Sequence, residues 1–128
     1  MTTLLVVGFL LLHGVLHLAV WLPRPEPNPA KPSPFEPDHS ALLTEAHVEP
    51  ETTHRVAVWL AVAAAGFYAV AGVAVAFGSA WAIPLAVLAG ATGLCIKLVF
   101  FHPWLLIGIA LDALVLSSAL VEWPVALA

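Results

Sequence analysis

The stretch LLLHGVLHLAV, residues 10–20, places His13 and His17 four apart in an otherwise apolar run. Four residues is about one helical turn, so the two imidazoles share a face. Such a pair suits a metal ion, a haem iron, a proton relay, or hydrogen bonds that tie one helix to another. Tyr68, Lys97 and Asp112 also stand inside apolar runs, and His102 stands at the edge of one. Ionisable groups in such surroundings are costly and usually turn toward the interior of a helix bundle.

The elements that must position these residues follow from composition. The chain has 128 residues, 62% hydrophobic and 9% charged, with a mean hydropathy of +1.01. A soluble domain is nearer half apolar and a quarter charged, so the bilayer is the expected solvent and one membrane domain, residues 1–128, the expected organisation. Four runs approach the ~20 apolar residues needed to cross the hydrocarbon: 3–22, 56–77, 81–101 and 104–121. Only Lys97 interrupts the third and only Asp112 the fourth. Gly78-Ser79 and His102-Pro103 read as tight turns, which makes the spans they join antiparallel neighbours. Pro84 falls in a first helical turn, where a missing N–H does no harm. The expected fold is all-α: a polytopic membrane protein of four transmembrane helices in an antiparallel bundle. The first run lacks a basic n-region and a small-residue cleavage site, so it reads as a retained helix rather than a signal peptide.

Tryptophans set the register. Trp21, Trp59 and Trp104 fall at one end of their spans, and Trp81 and Trp123 at the other, as interfacial belts. The first end is the loop side, where residues 23–54 lie; both termini are expected at the opposite end. Arg24, Lys31, Arg55 and Lys97 are all at the loop side, so the positive-inside rule puts the loop in the cytoplasm of a plasma-membrane protein. Residues 23–55 carry three basic against six acidic side chains, a net −3. With no basic patch, nucleic acid is not an expected partner; the lipid bilayer is, with a protein partner for loop 23–54. The loop opens on PRPEPNPAKPSPFEP, seven prolines in fifteen residues, which favours extended polyproline II and a stiff spacer that adds little to folding. HSALLTEAH, residues 39–47, reads either as a short helix on the membrane surface with Ser40 near its start, or as disordered polar loop.

Depth is counted from the belt. His13 and Asp112 are each eight residues from a loop-side tryptophan, and Tyr68 is nine. At 1.5 Å per residue all three lie roughly 12–14 Å from the loop side, near the midplane. His17 and Lys97 are each four residues from that interface, about 6 Å deep, near His102. The sequence therefore predicts two polar layers. His13 and Tyr68 donate to Asp112 in the middle one; His17, Lys97 and His102 form the second, with Lys97 snorkelling to the loop side.

Zinc wants at least a third protein ligand, and none matches the depth of both histidines. A bis-histidine haem has only His102 to set against His17, at the interface. Neither a metal nor a cofactor is expected. His39, His47 and His54 with the loop carboxylates read as a solvated surface. Cys95 reads as a small apolar residue that forms no internal disulfide. Small-residue faces at Ala86, Ala89, Gly90 and Gly93, and at Ala61, Ala65 and Ala69, predict close packing between spans two and three.

Three segments carry a resemblance: LLLHGVLHL near the start, RVAVWLAVAAAGFYAVAGVAVAFG in the centre and FFHPWLLIGIALDALVL late in the chain. Together they resemble small four-helix bacterial membrane proteins with an H-G-x-x-H-L motif in the first helix, many labelled transporter permease. His13, Gly14, His17 and Leu18 match the motif, and the likeness spans the chain apart from its proline-rich loop. The resemblance implies a four-helix membrane fold and no particular activity. This chain has no transporter-sized bundle or internal repeat. Three function classes stay open: a non-enzymatic accessory or interaction subunit, a small proton or ion conduit through the His/Asp/Lys layers, and an enzyme acting on a lipid-soluble substrate with His13, His17 and Asp112 as acid and base. No nucleotide motif, nucleophile elbow or CxxC pair favours catalysis, and the sequence sets no oligomeric state.

Overall fold

The apolar runs fold as helices in the computed structural model, which describes residues 1–22, 30, 35–37 and 39–121. The long helices are α1 (Thr2–Trp21), α3 (Pro50–Ala76), α4 (Ala82–Val99) and α5 (Leu106–Leu120); α2 (Ala41–Glu45) is a short helix in the long loop. A 3-10 turn, Pro103–Leu105, leads into α5. Four spans are long and apolar enough to cross a membrane, yet no more than 33% of any span's most apolar window is buried inside the protein. Leu4, Ile107, Leu120 and Val70 are among the large apolar side chains left on the outside. An apolar surface of that extent needs hydrocarbon rather than water around it. The protein is a multi-pass membrane protein, an all-α bundle of four antiparallel helices.

α3 begins at Pro50, six residues before its apolar span. Polar residues exclude that segment from the hydrocarbon but not from the helix. Proline suits the first helical positions, Glu51 in the first turn opposes the helix dipole, and Arg55 pairs with Glu51 one turn away on the exposed surface.

The helices pack in series: α1 on α3, α3 on α4, α4 on α5. Small residues set the spacing. Ala57, Ala61 and Ala65 of α3 and Ala89, Gly90 and Gly93 of α4 are buried at these contacts, whereas Ala69 is exposed, off the packed face. A Cβ at Gly14 would lie 2.9 Å from Tyr68 Cβ, so only glycine lets α1 and α3 come this close. Two apolar clusters result. Trp21, Ala57, Ala61, Ile96, Phe100 and Leu105 form the one nearer the long loop. Leu10, Tyr68, Ala71, Ala89 and Val115 form the other.

Of the tryptophans, Trp81 and Trp104 are exposed at helix ends and Trp59 is exposed nine residues into α3, near the start of its apolar span, but Trp21 is buried. Its ring packs into the bundle instead of marking an interface. Cys95 is exposed on the bundle surface.

The short helix forms, and it is tied to the bundle. Ser40 Oγ accepts from Leu43 N at 3.2 Å, the N-cap bond. The same hydroxyl donates to Val99 O at 2.5 Å, at the end of α4. At its other end His47, at φ 57°, takes the left-handed conformation. His47 N then bonds Thr44 O and Val48 N bonds Leu43 O, a Schellman stop. Leu43 and Phe35 pack against the Trp21 cluster. The expected polyproline spacer falls, apart from Ala30 and residues 35–37, outside the described residues, as does Trp123.

Candidate functional site

Five side chains of the long helices, His13, His17, Tyr68, Lys97 and Asp112, meet at one place, and Asp112 is its hub. Asp112 is fully buried. Its Oδ1 accepts from His13 Nε2–H at 2.7 Å and from Tyr68 O–H at 2.7 Å. Its Oδ2 accepts from Lys97 Nζ at 2.5 Å. Lys97 Nζ donates a second bond, 2.7 Å long, to His17 Nε2. His17 Nδ1–H donates to the carbonyl of His13 at 3.0 Å, which fixes the tautomer: with the hydrogen on Nδ1, Nε2 is free to accept from the ammonium. All four long helices contribute, and the lysine and aspartate charges cancel locally.

The predicted middle layer of His13, Tyr68 and Asp112 is brought together. The predicted second layer is not a separate one. His17 and Lys97 join the same cluster, with His17 Nε2 3.8 Å from Asp112 Oδ1. Counting residues along helices measured backbone depth alone; the lysine stem and the imidazole span the turn between the levels. Lys97 does not snorkel outward but points inward, only 4% exposed. His102 stands apart. Its Nδ1 accepts from Trp104 N at 3.2 Å, capping the 3-10 turn, and its ring lies 5.2 Å from Phe35.

Glycines make the room. A Cβ at Gly93 would lie 2.5 Å from Asp112 Oδ1, and one at Gly108 would lie 2.5 Å from Lys97 Cε. Gly93 is one turn before Lys97 and Gly108 one turn before Asp112. Each charged side chain thus rests over the glycine that precedes its partner. Neither glycine was read as a site residue from sequence. The signal was there in two glycines at i−4 from the two buried charges, but it becomes legible only once α4 and α5 are known to be adjacent.

The cluster is closed at both ends. On the loop side Trp21, Phe100 and Leu105 are buried above it, with Lys97 Nζ 5.8 Å from the centre of the Trp21 ring, a cation–π contact. On the other side Phe9 stacks on His13, ring centres 5.5 Å apart. Two buried nitrogens, His13 Nδ1 and Trp21 Nε1, have no hydrogen-bond partner.

His13, His17 and Asp112 offer ligand atoms within 4.8 Å of one another, close enough to hold a metal ion. Asp112 thus supplies the third ligand that depth counting did not find. The position between them is already served by a cation of the chain's own: Lys97 Nζ bonds both Asp112 and His17. A metal ion would have to displace that ammonium. No protein-family model, curated protein or solved structure matches the chain, so function rests on this geometry.

Proposed function

We propose that this protein is a non-enzymatic integral membrane subunit whose buried ionic cluster locks the four helices into one fixed frame. The observation that carries this reading is that the two charges of the cluster, Lys97 and Asp112, are paired inside it. Both carboxylate oxygens of Asp112 are taken by donors from α1, α3 and α4, and Trp21, Phe100 and Leu105 are buried over it. Acid–base catalysis needs a group within reach of a substrate proton, and conduction needs a polar route. Here the polar groups face one another and the approach from the loop side is apolar. In hydrocarbon such a network holds helices together because each group's alternative is to be unsatisfied.

The frame displays the loop side. Phe35, Ser40 and Leu43 pack over that end, and we place loop 23–54 in the cytoplasm as the surface for a protein partner, both termini lying across the plasma membrane. The H-G-x-x-H-L string acquires a physical sense in this frame: two histidines for the cluster, and a glycine between them for contact with α3. We group the chain on that motif with the small four-helix bacterial membrane proteins that share it.

The test is reconstitution. Proteoliposomes of the full chain, loaded with a pH-sensitive dye and given a proton gradient, should dissipate it no faster than protein-free vesicles. Proton flux that disappears in Asp112→Asn would replace this reading with the conduit.

A further inference from the structure

Beyond the ionic cluster, on the side away from the long loop, the first and last helices part. α1 packs on α3 and α5 on α4, with no comparable packing between α1 and α5. The gap holds a cavity of about 340 Å³. All four long helices line it, with Phe9 of α1, Val75 of α3, Ala86 of α4 and Val115 of α5 in its wall. Phe9 is one turn from His13 and Val115 three residues from Asp112, so these two mark its inner end. Thr2 and Ser118 also line it. Thr2 is the first residue of α1 and Ser118 lies two residues from the end of α5, so these two mark its outer end. The wall of the cavity is apolar almost throughout.

We propose that this cavity holds one acyl chain of a membrane glycerolipid. The lipid enters from the leaflet at the α1 N-terminal end and lays its chain along the apolar wall as far as Phe9. Water is a poor occupant, because a buried water needs two to four polar partners and the inner wall has none. Space of this kind does not stay idle: an engineered apolar cavity of ~150 Å³ already takes up benzene, and this one reaches the lower end of the ~300–1,000 Å³ range of small-molecule sites. A transmembrane helix of a second copy is about 10 Å across with its side chains. To enter it would have to spread α1 from α5, which the 2.7 Å bond between His13 and Asp112 holds together one turn away. A single chain fits the slot without moving that bond, and acyl chains are the medium that surrounds its opening. This inference does not depend on the loop-side partner or on the absence of conduction.

The experiment uses the full chain in vesicles of phosphatidylcholine doped with phosphatidylcholine carrying a diazirine near the end of one acyl chain. After photolysis, adducts are mapped by mass spectrometry. Adducts at Phe9 and Val115 should exceed, severalfold, those at Val73 and Leu88, which face outward at a similar level of α3 and α4. Ala86→Phe, which fills the cavity, should bring Phe9 and Val115 down to the level of Val73 and Leu88 and leave those two unchanged. Should Ala86→Phe not insert, Ala119→Leu fills the same space less severely, and the comparison within the unaltered chain stands on its own. Equal labelling of inner and outward residues, or labelling of Phe9 that persists when the cavity is filled, would overturn the proposal. So would chain-to-chain crosslinks through Phe9, which would assign the cavity to a second copy.

Discussion

Lys97 and Asp112 each rest on the other's helix. The ammonium donates to the carboxylate at 2.5 Å; the carboxylate occupies the space over Gly93 of α4, and the lysine stem the space over Gly108 of α5. The exchange explains how two charges reach one another in the middle of a bilayer without water. The helices come close at the glycines, and the charged side chains fill the room left there.

Placing a methyl at these glycines should therefore act on the cluster. Gly93→Ala puts its Cβ within 3 Å of all three carboxyl atoms of Asp112, and we expect a loss of about 1–3 kcal/mol, the usual cost of overpacking a tight core. Gly14→Ala meets the Tyr68 Cβ and the Ala65 carbonyl, which cannot swing aside, and should cost as much. At Gly66 nothing lies within 4 Å of an added Cβ, so Gly66→Ala should be neutral or stabilise by up to ~1 kcal/mol through helix propensity. Thermal unfolding in lipid nanodiscs separates the three. Equal effects at Gly66 and Gly93 would mean that the close approach is not limiting.

His17 should matter nearly as much as His13. The sequence placed His17 in a separate, shallower layer, where its loss would be mild. In the structure it accepts from Lys97 and holds that side chain inward. His13→Ala and His17→Ala should each cost roughly 1–3 kcal/mol by leaving a buried partner unsatisfied. Tyr68→Phe removes one of three donors to Asp112 and should cost about 1 kcal/mol. Unfolding midpoints that fall for His13→Ala but not for His17→Ala would restore the two-layer arrangement.

Ser40 joins the loop to α4 through one hydroxyl that serves as N-cap acceptor and as donor to Val99 O. Ser40→Ala should cost about 1–2 kcal/mol locally and should raise hydrogen exchange in residues 41–48 while leaving α1 and α5 protected. Unchanged exchange in that segment would show that its packing, not this hydroxyl, fixes it.

Antiparallel packing also fixes sidedness. A thiol at Ser79→Cys, between α3 and α4, should react with a membrane-impermeant reagent from the side opposite to one at Glu45→Cys in the long loop, with Cys95 replaced by alanine. Labelling of both from one side would contradict the four-span topology.

Much of the fold was legible because membrane spans announce themselves. Runs such as 104–121 carry almost no charge, and hydrocarbon leaves an apolar chain little choice but helix. The middle of the site was legible for a related reason. His13, Tyr68 and Asp112 are too costly to leave in lipid, and equal depth along straight helices brings them level. What was not legible depends on side-chain reach and helix neighbourhood. Lys97 was expected to snorkel outward, since a lysine one turn from the interface has that option. It turns inward because Gly108 leaves its stem a groove and Asp112 and His17 accept from it. Trp21 has the position of a belt residue, but it roofs the cluster. His102, beyond the end of α4 and shallower than Lys97, caps the 3-10 turn that follows it instead. The start of α3 at Pro50 was missed because hydropathy marks where the membrane ends, not where the helix does.

The central claim is that Asp112 acts as a structural hub paired with Lys97. A double-mutant cycle between these two residues, read as unfolding free energy in lipid nanodiscs, tests it most directly. Lys97→Met leaves an uncompensated buried carboxylate and Asp112→Leu an uncompensated buried ammonium, so each alone should destabilise by several kcal/mol, in the ~3–5 kcal/mol range of broken buried pairs. The double variant, with neither charge, should be markedly more stable than the sum of the two losses predicts. Strictly additive losses, with the double variant at the full sum, would contradict the account.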